Sequence, residues 1–294
     1  MSLPGFDDGR YVAGQASYFF AQGGVGPPVL LLHGFPQTHV CWQEVAHRLA
    51  VTHRVVAPDL RGYGASRAPE GGPQGEGYSK REMASELVEL MASLGHERFA
   101  VVGHDRGARV AYRLALDHPE SVTRAALLNV VPTIEQFEQM GAGPSLGYWP
   151  WFLLSQPAPF PERMIGADPA WLLEHVFATW SSRPREIGPE HRDAYRRAMT
   201  PATIAAMCSD YRASFHLDRR HDADDRAAGR RISAPVLLVI GEEETQLANA
   251  PDIWRAWVQD LTVSRVPGGH FIPEEAPRQL TEALTAFLNP DQAR

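Results

Sequence analysis

The stretch Gly103-His104-Asp105-Arg106-Gly107 sets an acid between two glycines. Glycines at that spacing let the backbone turn sharply, and the central side chain is pushed outward. A carboxylate there is no acyl-transfer serine. It attacks a carbon that bears a leaving group and forms an ester on the protein. The alternative is an ordinary helix N-cap. Far along the chain His270 follows Gly268 and Gly269. Nucleophile, then acid, then histidine is the chain order of a hydrolytic triad. A carboxylate needs no base to activate it near neutral pH, so the work left for His270 is to activate the water that cleaves the ester. With 12 histidines in the chain, a plain surface role for His270 stands beside that reading.

A base of this kind needs an acid to orient it. Two places are open. One is the end of the apolar run 125–128, where the chain has Asn129; the other is three residues past Gly241, where it has Glu244. Asn129 could accept a hydrogen bond from an imidazole but carries no charge. Glu244 is expected to supply the charge, with Asn129 as a polar neighbour and Glu243 as a weaker candidate. The turn His33-Gly34-Phe35-Pro36 can aim the Phe35 N–H at the same point as the Arg106 N–H. Together they would form an oxyanion hole. Arg109 lies one helical turn beyond Asp105 and can face the same cavity as Arg106. Two guanidinium groups suit a small carboxylate, since each donates parallel hydrogen bonds. Otherwise Arg109 pairs with a surface acid, or Arg109 and Arg113 both face solvent.

Short apolar runs at 28–32, 54–57, 99–102, 122–131, 235–240 and 263–266 read as strands. Residues 11–20 read as an edge strand or hairpin arm. Helical patterns fall between the runs, at 42–49, from the Ser79-x-x-Glu82 capping box to Leu94, after Gly107, at 253–257 and at 277–288. Such alternation predicts an α/β fold with a mostly parallel central sheet. Asp105, the 33–36 turn and the segment after Leu128 all follow strand ends, where such sheets build their sites. Between 132 and 230 strands stop. Helical patterns at 137–140, 170–180, 191–199 and 203–215 are broken by Pro-rich joints. The expected division is a sheet domain, first part, over 1–131, an inserted helical cap over 132–230, and the second part of the sheet domain over 231–294. The charged stretch 219–231 reads as a solvated face.

The chain has 294 residues, a formal net charge of −7 and only two cysteines, Cys41 and Cys208. The mild negative charge gives no footprint for nucleic acid, and the cysteines give neither a disulfide framework nor a metal site. No apolar run is long enough to span a bilayer, and the first residues lack a signal-peptide pattern. The expectation is a cytoplasmic protein without metal, nucleic-acid or membrane partners.

The motifs His33-Gly34-Phe35-Pro36-Gln37-Thr38, Pro58 to Gly64 and Gly103 to Arg109 resemble those of the fluoroacetate and haloacetate dehalogenases of the α/β-hydrolase superfamily. So do Gln156 to Pro159, Asp210 to Ala213, Gly269-His270-Phe271 and Pro273 to Pro277, and the likeness covers nearly the whole chain. The resemblance implies that Asp105 displaces halide from a haloacetate and that water activated by His270 releases glycolate. It implies that Arg106 and Arg109 hold the substrate carboxylate, and that Trp151 and Tyr211 bind the halide. It implies a homodimer and no cofactor. Two departures stand out. The family acid after the strand is Asp, here Asn129. The family His beside the halide-pocket Trp is here Pro150, which brings no donor. Fluoride, a small ion with concentrated charge, is therefore expected to leave poorly, with Tyr148 as a conceivable substitute donor. An epoxide hydrolase with the same Asp nucleophile, and Tyr148, Tyr195 or Tyr211 as acids, is the enzymatic alternative. A small-carboxylate-binding protein without turnover is the other.

Overall fold

The apolar runs fold into one eight-stranded sheet because a buried strand can satisfy its backbone only by pairing with a neighbour. The computed structural model describes residues 2–141 and 144–289. Strands β1 (Asp7–Ala13) and β2 (Ala16–Gly23) form an antiparallel hairpin. The others are β3 (Pro28–Leu32), β4 (Arg54–Pro58), β5 (Phe99–His104), β6 (Val122–Leu128), β7 (Val236–Gly241) and β8 (Leu261–Val266). Their order is β1-β2-β4-β3-β5-β6-β7-β8, and every pair from β4 onward in that order is parallel. The central strands β3, β5 and β7 are almost wholly buried.

Helices α1 (Gln43–Leu49), α2 (Lys80–Ser93) and α3 (Arg106–Asp117) connect the first parallel strands. Ser79 and Glu82 cap α2 reciprocally, as their spacing predicts. Between β6 and β7 the described residues form helices joined by turns: α4 (Thr133–Glu138), α5 (Pro144–Gly147), α6 (Trp149–Leu153), α7 (Phe160–Ala167), α8 (Pro169–Trp180), α9 (Pro189–Ala198), α10 (Pro201–Ala213) and α11 (Arg219–Ala227). A π-helical turn, Ser214–Asp218, joins α10 to α11. After β7 come α12 (Ala250–Trp257), α13 (Ile272–Glu275) and α14 (Pro277–Leu288).

Two details differ from the sequence reading. The first strand is a full hairpin that starts at Asp7, whose outer arm is polar and largely exposed. The charged stretch 219–231 is not simply a solvated face. Asp222 and Asp225 on α11 are buried and pair with Arg113 of α3. Among the described residues no helix is long and apolar enough to cross a membrane.

Candidate active site

Asp105 stands between the end of β5 and the first residue of α3, with φ 50° and ψ −113°. This left-handed backbone is costly for a residue with a Cβ and is held by its surroundings. The flanking glycines are needed for space. A Cβ on Gly103 would lie 2.4 Å from the Gly107 carbonyl oxygen, and one on Gly107 would lie 2.2 Å from that of Leu32. The helix can thus fold back tightly on β5 and β3, and its positive N-terminal end meets the carboxylate. Gly34 serves the same purpose from the β3 side, since a Cβ there would meet Asp105 Oδ1 at 2.6 Å. That approach lets the Phe35 N–H donate to Asp105 Oδ1 at 2.8 Å. Arg106 opens α3, so its N–H is among the first-turn donors that have no intrahelical acceptor.

His270 follows β8. Its Nε2 is 3.8 Å from Asp105 Oδ2 and has no hydrogen-bond partner, while its Nδ1 is 3.7 Å from Glu244 Oε2. Burial disfavours the charged imidazole. The neighbouring Glu244, Asp105 and Glu275 outweigh that penalty and raise its pKa above the ordinary value. The acid facing the ring is Glu244. Asn129, with φ 51°, does not reach the ring. Its Nδ2 donates to the carbonyls of Gly269 and His270, and its Oδ1 accepts from the Gly241 N–H. It ties the ends of β6 and β7 to the histidine loop through backbone. Glu243 points elsewhere, accepting from the Gly268 N–H.

Sequence reasoning gave no role to two neighbours of His270. Glu275 accepts from the N–H groups of Gly269 and Phe271 on either side of the histidine, and from Ser182 and Arg183 between α8 and α9. Its signals in the chain are its place five residues past His270 and inside the segment Pro273 to Pro277. His104 is buried next to Asp105 in the chain, and its Nε2 bonds the His270 carbonyl at 2.7 Å. Burial pushes its pKa down to about 3, so it is neutral and Nε2 is the donor.

The two arginines part company. Arg106 is fully buried, and its Nε and Nη2 donate to the Asp210 carboxylate at 2.8 and 2.9 Å. Ser214 in the π-helical turn takes another Nη2 bond at 2.6 Å. Lys80 and Tyr63 converge on the same Asp210. Arg109 is 3% exposed yet has no carboxylate partner among the described residues. It donates to Val131 O, Thr133 Oγ1 and Gln136 Oε1. The surface-acid and solvent-facing alternatives for Arg109 and Arg113 are therefore excluded by their burial. Each of the first two guanidinium groups keeps one buried nitrogen without an acceptor, Nη1 of Arg106 and Nε of Arg109.

Above Asp105 lies a cavity of about 410 Å³. Asp105, Arg109, Trp151, Tyr211, Glu244 and His270 line it, along with Tyr148, Trp180 and Gln136. Arg106 is not in the lining; its guanidinium stacks 4.1 Å from the Tyr211 ring centroid and 4.9 Å from that of Trp151. The Arg109 guanidinium lies 4.5 Å from the Trp151 centroid. Both aromatic residues thus line the cavity with a cation against the ring face. Tyr195 is buried against Phe177 and His191, outside the cavity. Pro150 is buried and is not among the residues lining it. Among the described residues no group of three or more His, Cys, Asp or Glu is placed to hold a metal ion.

Residues 27–277 match the family model described as alpha/beta hydrolase fold. The fluoroacetate dehalogenase of a Burkholderia species is 40% identical over 289 residues, which covers 97% of this chain and 94% of that one. The soluble epoxide hydrolase of Corynebacterium sp. (strain C12) is 28% identical over 92% of this chain and 93% of its own length. Among solved structures, ALR0039 from Nostoc sp PCC 7120 superimposes with a TM-score of 0.93 at 42% identity, covering 96% of this chain and 98% of that one.

Proposed function

The chain belongs to the fluoroacetate dehalogenase family within the α/β-hydrolase superfamily, and from that membership and the site's geometry we propose that it hydrolyses the carbon–halogen bond of a small 2-halocarboxylate. The observation that carries the substrate class is the pair of buried guanidinium groups, packed on the Trp151 and Tyr211 rings, that each keep a nitrogen without an acceptor. A buried donor without an acceptor is costly, and a substrate carboxylate removes that cost. Arg109 supplies its side from the cavity wall, and Arg106 supplies Nη1 while Asp210 holds the rest of its fork.

Asp105 Oδ2 attacks the α-carbon. A C–O bond forms, the carbon–halogen bond breaks, and its electron pair leaves on the halide. The Trp151 indole N–H and the Tyr211 O–H receive that halide. Water then gives a proton to His270 Nε2, and its oxygen adds to the Asp105 carboxyl carbon. The Phe35 N–H already holds Oδ1, where the negative oxygen forms, and the Arg106 N–H is the second donor. Collapse breaks the bond from the carboxyl carbon to Oδ2. The hydroxy acid leaves with the proton from His270, and Glu244 stabilises the imidazolium meanwhile.

The test is halide release from bromoacetate, chloroacetate and fluoroacetate by the intact protein and by Asp105→Asn. Release that depends on Asp105, with fluoride slowest, is expected; release from none of the three overturns the reading. The second reading is epoxide hydrolysis, favoured by Tyr148 and Tyr211 both lining the cavity. Turnover of a neutral epoxide that survives loss of Arg109 would select it.

A further inference from the structure

Arg109 poses an electrostatic problem. It is buried, it makes no ion pair among the described residues, and burial pulls its pKa down from the arginine value against the weaker pulls of Tyr112, Asp105 and Asp222. A buried charge without compensation is costly. Arg106, its neighbour on the same helix, solves the problem with a direct pair to Asp210. Arg109 does not.

The hydrogen bonds on its far side run in one direction. Arg109 Nη1 donates to Thr133 Oγ1 at 3.1 Å. Thr133 Oγ1 and the Tyr112 hydroxyl are 2.9 Å apart, and the Tyr112 O–H donates to Asp222 Oδ2 at 2.9 Å. Tyr112 has a single hydroxyl hydrogen and spends it on Asp222. The hydrogen between Thr133 and Tyr112 must therefore come from Thr133. All three side chains are buried. Asp222 is anchored from the other side by Arg113 Nη2 at 2.5 Å and by the Ile134 N–H at 3.2 Å. Burial raises the Asp222 carboxyl to about 6 against the pull of Arg113, so it is ionised at neutral pH.

We infer that Thr133, Tyr112 and Asp222 form a one-way relay that balances the charge of Arg109 from a distance, so that its unused N–H stays open to the substrate carboxylate. This rests on the carboxylate-binding role proposed above. A carboxylate paired directly with Arg109 would supply the same charge but fill the place of the substrate. Hydrogen bonds aligned in one sense polarise one another, so the anion on α11 is felt at α3 through two hydroxyl groups. The three are positioning residues, and they also join the helical insertion to the sheet domain at the substrate-binding arginine.

The experiment is steady-state chloride release from chloroacetate by Tyr112→Phe, Thr133→Val, Thr133→Ser and Arg109→Leu, with thermal unfolding of each. A relay that acts only on carboxylate binding raises KM and spares kcat. Tyr112→Phe and Thr133→Val are expected to raise KM about fivefold to tenfold with kcat within about twofold. Thr133→Ser, which keeps the hydroxyl, restores the KM. A packing role would instead lower kcat, or leave Thr133→Ser as poor as Thr133→Val, and either result overturns the relay. An Arg109→Leu protein with unaltered KM would sink the carboxylate clamp itself. A raised KM in Arg109→Leu with unaltered Tyr112→Phe and Thr133→Val sinks the relay alone.

Discussion

His270 Nε2 stands 3.8 Å from Asp105 Oδ2, beyond hydrogen-bond reach, although the two side chains face one cavity. The two side chains therefore do not hold each other. Asp105 is held by the Phe35 N–H through its other oxygen, and His270 is held by its own loop. The separation suits a two-step reaction in which the first step needs no base.

That separation predicts a trapped ester. In His270→Ala, Asp105 still displaces halide but no group takes the proton of the attacking water. One halide per protein molecule should be released quickly, and the intact mass should rise by the acid fragment of the substrate. Continued turnover at a rate near that of the intact protein would show that His270 is not the base.

The acid opposite the imidazole sets a pH dependence. The base must be neutral to take a proton, and its negative neighbours favour the charged form, so His270 titrates above the ordinary value. Ester hydrolysis should therefore fall as pH drops through that raised value. Glu244→Gln removes one of those charges. The acid limb of the pH–rate profile should move to lower pH, and the plateau should fall at least about tenfold because the imidazolium loses its partner. The loss should stay below the ~10⁴ seen where an orienting Asp becomes Asn and fixes the wrong tautomer. An unmoved acid limb would remove Glu244 from the role.

Asn129 carries a different prediction. Its amide donates to two carbonyls and accepts from one N–H. An Asp there keeps the size but sets a carboxylate against the Gly269 and His270 oxygens. Asn129→Asp is expected to lose about 1–3 kcal/mol of stability in denaturant unfolding, with no gain in turnover. Unchanged stability with faster turnover would show that this position seats an acid for the imidazole.

How far these roles were legible in the chain depended on range. Strand β3 and helix α14 fall at the residues their local patterns predict, and the elbow around Asp105 follows from glycine spacing. Charge pairing left no such local trace. Nothing near Arg106 announces that Asp210, 104 residues away, occupies most of its guanidinium. Asp222 and Asp225 read as solvated because composition does not show that Arg113 is buried against them. Asn129 looked like a deficient acid because its partners are backbone groups on β7 and the histidine loop, which no side-chain pattern records.

Glu275 gathers donors from both sides of His270 and from Ser182 and Arg183. Glu275→Gln turns one acceptor oxygen into a donor facing N–H groups. Hydrogen bonds to a charged group contribute about 1.5–3 kcal/mol each, so a loss of at least ~2 kcal/mol is expected in unfolding. In the folded variant halide release in the first turnover should hold while ester hydrolysis slows. Equal slowing of both steps would mean that Glu275 shapes the cavity rather than the histidine loop.

The halide end of the cavity gives the last prediction. Its lining runs through Tyr148, Trp149, Trp151 and Tyr211 and omits Pro150, and in the proposed reaction the Trp151 indole and the Tyr211 hydroxyl receive the halide. A small anion gains more from each donor than a large one, because its charge is closer. Tyr211→Phe should therefore slow fluoride release from fluoroacetate more than bromide release from bromoacetate. Pro150→His places a donor beside Trp151 near the start of α6, where proline's missing N–H had no intrahelical partner to lose. One added charge-assisted bond corresponds to roughly tenfold or more in rate. The ratio of kcat/KM for fluoroacetate to that for chloroacetate should rise by about that factor. A folded Pro150→His protein with an unchanged ratio would mean that a shortage of donors is not what holds fluoride back.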